Sequence, residues 1–572
     1  MFENIAIQTV DEYDAIVIGS GISGGFAAKE LTEKGLQTLV LERGRNLDSF
    51  PTDGMAPWEL PFRGDVPAEV AAAEHAVQRR TYAFNSQTQH HFINDRENPY
   101  IEEKPFTWIR GNHVGGRSIM WGRQCYRWSK MDFEANARDG SAIPWPISYD
   151  EIAPWYDYAE RYVGISGQAE GLEQVPDGQF LPAMDMYCSE RKLKEAVEKS
   201  WPGERMVTIG RVANLTRAHN GRTQCQYRNQ CYRGCAYRAY YSSNNAALPD
   251  AMATGNLTLR PHSNVHSIIF DEDLDRAVGV RVVDYVTKEM IEFRAKVIFL
   301  CASTLGSAQI LLNSKTPRFS DGLANSSGAV GHYLMDHHYQ IGAVGMMEGM
   351  EDEYYYGRRP NGIYIPRFRN LPGQKQEQDF IRGYGFQGGG SRVGWTRGTS
   401  MSGFGADLKN SLRTPGPWSV SVIAFGEALP YYDNHVSLDP DQTDEWGIPL
   451  LRINCEWKEN EFAMRRDMEQ TSLEMLEAAG AYDIQPYNNH TPGGYGAEPG
   501  LGIHEMGTAR MGDDPNESVL NKHNQAHDVP NLFITDGSCM TSAACQNPSI
   551  TYMALTARAV DYAVNQMKNG AL

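Results

Sequence analysis

No stretch of this sequence stays apolar for the ~20 residues that a bilayer-spanning helix requires. The densest run, VIFLCA at 297–302, has the length of a buried strand. Basic residues are the minority, 53 Lys and Arg against 71 Asp and Glu, and the net charge is −18. That argues against nucleic acid as a partner, because phosphate binding needs a basic face. The opening residues, MFENIAIQTVDEYD, show neither a basic n-region nor an apolar h-region. No signal peptide is read there, and the chain taken by itself is expected in the cytoplasm. Nine cysteines scattered over 572 residues do not make a secreted disulfide framework. Internal repeats and low-complexity tails are missing too. What remains is an ordinary globular composition, 41% hydrophobic and 22% charged, long enough for two or more domain-sized units.

The most ordered local pattern is YDAIVIGSGISGGFAAKELTEKGLQTLVLERG, which divides into strand, glycine turn, helix and strand. Gly19, Gly21 and Gly24 make G-x-G-x-x-G. The first glycine allows a tight turn, the second a close approach of backbone to pyrophosphate, and the third close packing of helix on strand. The helix N-terminus then faces the anion. Gly35 is a plausible C′ residue for that helix. Glu42, at the end of the second strand, can accept hydrogen bonds from a ribose diol.

Further along, residues 50–105 read as long loop excursions and 148–202 as helices. Residues 256–314 read as strands, and 340–495 as an antiparallel sheet rich in aromatics and glycine. The aromatic, Asn- and Gln-containing segments 85–95 and 381–396 suit a sugar pocket, although surface loops share their composition. CQYRNQCYRGC spaces Cys225, Cys231 and Cys235 as C-x5-C-x3-C. If its second half is helical, Cys231 and Cys235 share one face. Three thiolates suit a three-iron cubane, while a disulfide with a free thiol, or a zinc site with a fourth ligand, stays open. The other six cysteines are read as small buried hydrophobes.

Several blocks in a fixed order resemble the glucose–methanol–choline (GMC) oxidoreductase family. They are the N-terminal fingerprint, VGGRSIMWGR (114–123), CASTLGSAQILLNS (301–314), VGHYLMDHH (330–338), HEMGTARMG (504–512) and NLFITDGS followed by NPSIT. The resemblance implies an α/β fold (α+β overall), a Rossmann-like FAD-binding domain with an antiparallel-sheet substrate domain. Its FAD-binding parts would be 1–150, 203–335 with the cysteine segment 225–235, and 495–572. A helical cap region would span 151–202, and the substrate-binding domain 336–494. The family's catalytic pair falls on His504 and Asn547. An imidazole near neutrality can take a hydroxyl proton as hydride leaves for flavin N5, and an Asn amide can donate to the developing alkoxide.

By the same resemblance, Gly115, Gly116, Ser118, Met120 and Trp121 lie along the flavin, and Asp536 and Gly537 return to it. Some sugar-oxidising relatives carry a flavin-linking His where Met120 stands, so FAD is expected to be non-covalent. His337 and His338 resemble a structural motif of the family, with no metal expected. The cysteine spacing is similar to that of bacterial FAD glucose and fructose dehydrogenases, which implies a [3Fe–4S] cluster on Cys225, Cys231 and Cys235. Within the family the chain looks most like the flavin subunits of bacterial glucoside 3-dehydrogenases. That implies oxidation of a secondary hydroxyl of a glucoside or disaccharide, C3 favoured, with electrons passing through the cluster to a cytochrome-type acceptor. It also implies a small accessory subunit carrying an export signal, and hence a periplasmic destination by co-export. The alternatives are an O2-using sugar oxidase of the pyranose oxidase kind and a non-catalytic flavin redox sensor.

Overall fold

A computed structural model describes residues 12–47, 66–487 and 498–572. Part of the excursion read at 50–105, residues 488–495 of the region read as sheet, and residues 496–497 lie outside the described residues.

The N-terminal pattern folds as read. Strand β1 (Tyr13–Ile18) runs into helix α1 (Ile22–Glu33) and then strand β2 (Thr38–Leu41). Gly35 follows the helix at φ +90°, the left-handed C′ position that glycine adopts at no steric cost. A Cβ on Gly24 would lie 1.9 Å from the carbonyl oxygen of Gly19, so the helix sits against its own entry turn.

β1 and β2 belong to a seven-stranded sheet whose organising member is the long strand Met290–Leu300. Its first half pairs antiparallel with Arg276–Asp284, which continues into Ser263–Asp271. Its second half pairs parallel with β1 on one side and with Leu532–Ile534 on the other. The strand can serve both because Val297 to Leu300 is buried on both faces, as parallel-sheet strands are. It thereby ties the first strand of the chain to the last.

A second, six-stranded sheet is antiparallel throughout, in the order Tyr482–Pro486, His338–Met347, Trp418–Gly426, Tyr384–Arg392, Ile363–Ile365 and Thr208–Ile209. The helix Glu459–Ala478 packs across it and buries Met464, Met468 and Met475. The expected helices in 148–202 are Tyr149–Val163 and Cys188–Ser200. The first starts on a capping box, Ser148 with Glu151, and stops at Gly164 in the left-handed region. The fold is α/β, a Rossmann-like layer beside an antiparallel sheet.

Placing a methyl at Gly24 forces α1 off the turn. Gly24→Ala is expected to cost about 1–3 kcal/mol, the usual range for overpacking, and to lower the thermal midpoint of unfolding. An unchanged midpoint would show that the helix has room to move.

Candidate active site

A cavity of about 470 Å3 runs from the glycine turn to the segment around His504. At the first end stand Gly19, Ser20, Gly21 and the N-terminus of α1. Gly19 has φ +93°, and a Cβ there would come within 2.5 Å of the Cys301 carbonyl oxygen. A Cβ on Gly21 would instead project into open space, so this is the point where a ligand backbone can approach the helix. Glu42 lies beside the turn and accepts from the Ser20 amide at 3.1 Å, the Ser20 hydroxyl and the Gly44 amide at 2.9 Å. Burial raises its pKa, and these hydrogen bonds oppose the rise.

The segment around 115–121 forms the next stretch of wall. Gly115 donates its amide to the Ser20 hydroxyl at 2.8 Å, and its own φ of +90° turns the chain there. Gly116, Ser118, Met120 and Trp121 line the cavity, whereas Gly24 and Gly115 support it from behind. Trp121 is pinned by its indole N–H on the Tyr241 carbonyl at 2.9 Å. Asp536 and Gly537 come back to the wall after the strand Leu532–Ile534, and Asp536 accepts from Ser307 and Ser538. Five buried polar atoms of lining residues have no protein partner among the described residues: Arg43 Nε, Arg110 Nε, Arg123 Nε, Asn264 Nδ2 and the Tyr552 hydroxyl. Such atoms are costly to bury alone, and a polar cofactor in the cavity would satisfy them. The walls fit FAD on that ground and on the bare approach at Gly21.

At the other end His504 and Asn547 come together, with Asn547 Nδ2 3.3 Å from His504 Nε2. Local structure explains why. Met335 and Met506 exchange a pair of backbone hydrogen bonds, each 2.9 Å, which lays 335–337 beside 504–506. The Asp336 carboxylate then accepts the amides of Gly500 and Gly502 at 2.9 Å and of His504 at 2.8 Å. Ile503 is thereby held at φ +57°, a strained setting for a β-branched residue. Burial, reinforced by the nearby charge of Glu505, raises the pKa of Asp336 above the ordinary carboxylate value, and the backbone amides oppose the rise. His504 also places Nδ1 2.9 Å from Nδ1 of His337. Arg117 faces this region and pairs with Glu505 at 2.8 Å. Burial pushes His504 well below the ordinary imidazole value, and His337 and Arg117 add to the effect. An unprotonated imidazole beside an amide donor, both opening into a cavity, can take a proton from an alcohol and hold the resulting oxyanion.

Sequence reasoning missed His337, which it assigned to structure, and the residues that face the pair. Gln387 donates from Nε2 to Asn547 Oδ1. It stands on the strand Tyr384–Arg392, within the segment 381–396 singled out by composition. Tyr339 and Phe425 stack at 4.7 Å from the starts and ends of neighbouring strands, and Tyr82 meets Tyr232 at 5.4 Å. All five residues line the cavity.

The cysteine segment departs from expectation. Cys231 opens a 3-10 turn, Cys231–Arg233, which Gly234 ends at φ +93°. With Tyr227 and Asn229 also at positive φ, no α-helical face forms to align Cys231 with Cys235. Cys225, Cys231 and Cys235 are half-buried and form no disulfide, and none lines the cavity, although Tyr232 between them does. Among the described residues no group of three His, Cys, Asp or Glu side chains is arranged to hold a metal ion. Of the other six cysteines, five are buried as read, and Cys188 is only half-buried.

Because His504 is held below the ordinary value, the unprotonated ring persists on the acid side of it. The His504 ring is therefore expected to stay neutral from about pH 8 to about pH 5.5, either side of the free imidazole pKa. NMR titration of 15N-histidine-labelled protein checks this, and a His504 transition centred near 6.5 would contradict it.

The N-terminal model of the GMC oxidoreductase family matches residues 13–339, and the C-terminal model matches residues 430–556. The chain is 30% identical to 2-methyl-1,2-propanediol dehydrogenase of Mycolicibacterium austroafricanum, over 97% of this chain and 95% of that protein. It is 26% identical to the fructose dehydrogenase large subunit of Gluconobacter japonicus, over 97% and 98% respectively. Among solved structures, pyridoxine 4-oxidase superposes with a TM-score of 0.60 at 18% identity, covering 96% of this chain and 98% of that one. Together with the two matched models, a cavity fitted for FAD and an imidazole–amide pair at its end make this chain a member of the GMC oxidoreductase family, an FAD-dependent oxidoreductase acting on CH–OH donors.

Proposed function

We propose that this enzyme oxidises a secondary hydroxyl of a glucoside or disaccharide, C3 favoured, and passes the electrons to a cytochrome-type acceptor. The observation that carries the reading is the meeting of His504 and Asn547 in the wall of the FAD cavity. Bound FAD supplies the acceptor for the hydride. His504 takes the hydroxyl proton on Nε2, and Asn547 donates its amide to the oxygen as charge develops there. Glu42 and the turn at Gly19 and Gly21 hold the adenosine and pyrophosphate end. Sugar as the donor is supported by the polar and aromatic mixture around the pair. The amides of Gln124, Asn361 and Gln387 can match ring hydroxyls, while Tyr82, Tyr232, Tyr339 and Phe425 offer apolar ring faces. The fructose dehydrogenase relative acts on a sugar by name, and its description as a large subunit supports an accessory subunit here too. Periplasmic location by co-export with such a subunit is part of the same proposal.

A [3Fe–4S] cluster on Cys225, Cys231 and Cys235 is supported by their spacing. Cys225 and Cys235 also lie near enough to Cys231 for its charge to raise their pKa values, after burial. In this geometry the three thiols do not form a ligand set, so the spacing carries that part of the proposal.

Anaerobic titration of the purified protein with a methyl glucoside is expected to bleach the flavin bands, and His504→Ala to retain FAD while losing at least about 100-fold in bleaching rate. An unchanged rate in that variant would remove His504 from the reaction. Iron and acid-labile sulfide in the same preparation would support the cluster. Their absence, with hydrogen peroxide released in air at the rate of sugar turnover, would favour the O2-using alternative.

A further inference from the structure

His337 is fully buried, and both of its ring nitrogens are engaged. Nε2 lies 3.2 Å from the Ala543 carbonyl oxygen, and Nδ1 lies 2.9 Å from Nδ1 of His504. A carbonyl oxygen can only accept, so Nε2 of His337 carries a proton. Among the described residues no carboxylate pairs with either ring, and burial pushes His337 down to about 4, so the ring is neutral. Its Nδ1 is therefore a bare lone pair. That lone pair can only accept, which places the proton of His504 on Nδ1 and leaves Nε2 of His504 bare.

The same answer comes from the opposite end of the network. Gln387 donates to Oδ1 of Asn547, which turns the Asn547 amide nitrogen toward Nε2 of His504. An N–H there needs an acceptor. Starting from Ala543 and starting from Gln387, the proton assignments meet at one tautomer.

We infer that His337 is a positioning residue that holds His504 in its Nδ1–H tautomer, so that the bare Nε2 stands in the cavity as the acceptor of the substrate proton. This rests on the reading of His504 as the base. The charged groups facing His504 are Arg117 with its partner Glu505, and Asp336 beneath the loop. The hydrogen-bond partners of its ring nitrogens are His337, which accepts at Nδ1, and Asn547, which donates at Nε2, so the tautomer is set by His337 rather than by a carboxylate.

His337→Phe keeps a flat ring in the space and removes the acceptor. His337→Asn returns an acceptor oxygen near the place of Nδ1, since both atoms stand two bonds from Cβ. With FAD retained, flavin reduction at saturating substrate is expected to slow about 100- to 10,000-fold in the Phe variant, the scale of loss when a catalytic imidazole takes the wrong tautomer. The Asn variant is expected to regain at least about tenfold of that loss, with the apparent Kd for substrate unchanged in both. Independently of any variant at 337, NMR of 15N-histidine-labelled protein, with the His504 signals assigned by their loss in His504→Ala, is expected to show a protonated Nδ1 and a bare Nε2. Phe and Asn variants that are equally slow, a Phe variant that runs at the parent rate, or a protonated Nε2 on His504 would each overturn the inference. Should His504→Ala reduce flavin normally, it is the base assignment that falls. A silent His504→Ala beside a fully active His337→Phe removes only the role of His337.

Discussion

The buried carboxylate of Asp336 is the point on which the reactive end of this enzyme depends. It takes three backbone amides from one short loop, at Gly500, Gly502 and His504. Each is a charge-assisted hydrogen bond of about 1.5–3 kcal/mol in a setting where an unpaired amide would be expensive. Besides one turn hydrogen bond from the Ile503 amide to the Gly500 carbonyl at 3.2 Å, that convergence is what keeps Ile503 at φ +57°, and the residue that follows it is His504. The next residue in the other direction matters equally, because Asp336 delivers His337 to the ring of His504. One dipeptide thus sets the backbone and the protonation pattern of the same imidazole.

The cavity owes its length to the way the chain closes on itself. Met290–Leu300 receives β1 from the N-terminal end and Leu532–Ile534 from the C-terminal end, and the turns that follow these strands are its walls. The antiparallel sheet enters only at the rim, through Tyr339, Gln387 and Phe425 at one end of three strands. The hydrogen bond from Gln387 to Asn547 joins the two layers across the site. Part of the wall around His504 and Asn547 is therefore carried on a different layer from the glycine turn at the other end of the cavity.

Much of this was readable in the residues. The strand–turn–helix–strand at 13–41 is a local pattern, and Gly19, Gly21 and Gly24 stand where backbone conformation and close approach require them. His504 and Asn547 were legible through ordered motifs rather than chemistry, since one His among fifteen carries no label of its own. His337 was not legible as a partner of His504. The two are 167 positions apart, and their contact depends on the Met335–Met506 pairing, which no local period announces. Gln387 was hidden for the same reason, inside a segment whose composition also suits a surface loop. The cysteine segment erred in the other direction. Its i, i+4 spacing suggested a helical face, but left-handed residues at Tyr227, Asn229 and Gly234 break the chain into turns.

Asp336 is the anchor of the reactive loop. Asp336→Asn keeps the side-chain volume but sets an NH2 group against backbone amides that need an acceptor. Measured by anaerobic stopped flow on FAD-loaded protein, the first-order rate of flavin reduction should fall at least about 100-fold, the scale expected when a reacting group is displaced by about 1 Å. A variant that holds FAD and reduces it at the parent rate would show that His504 keeps its place without the carboxylate, and would contradict the account.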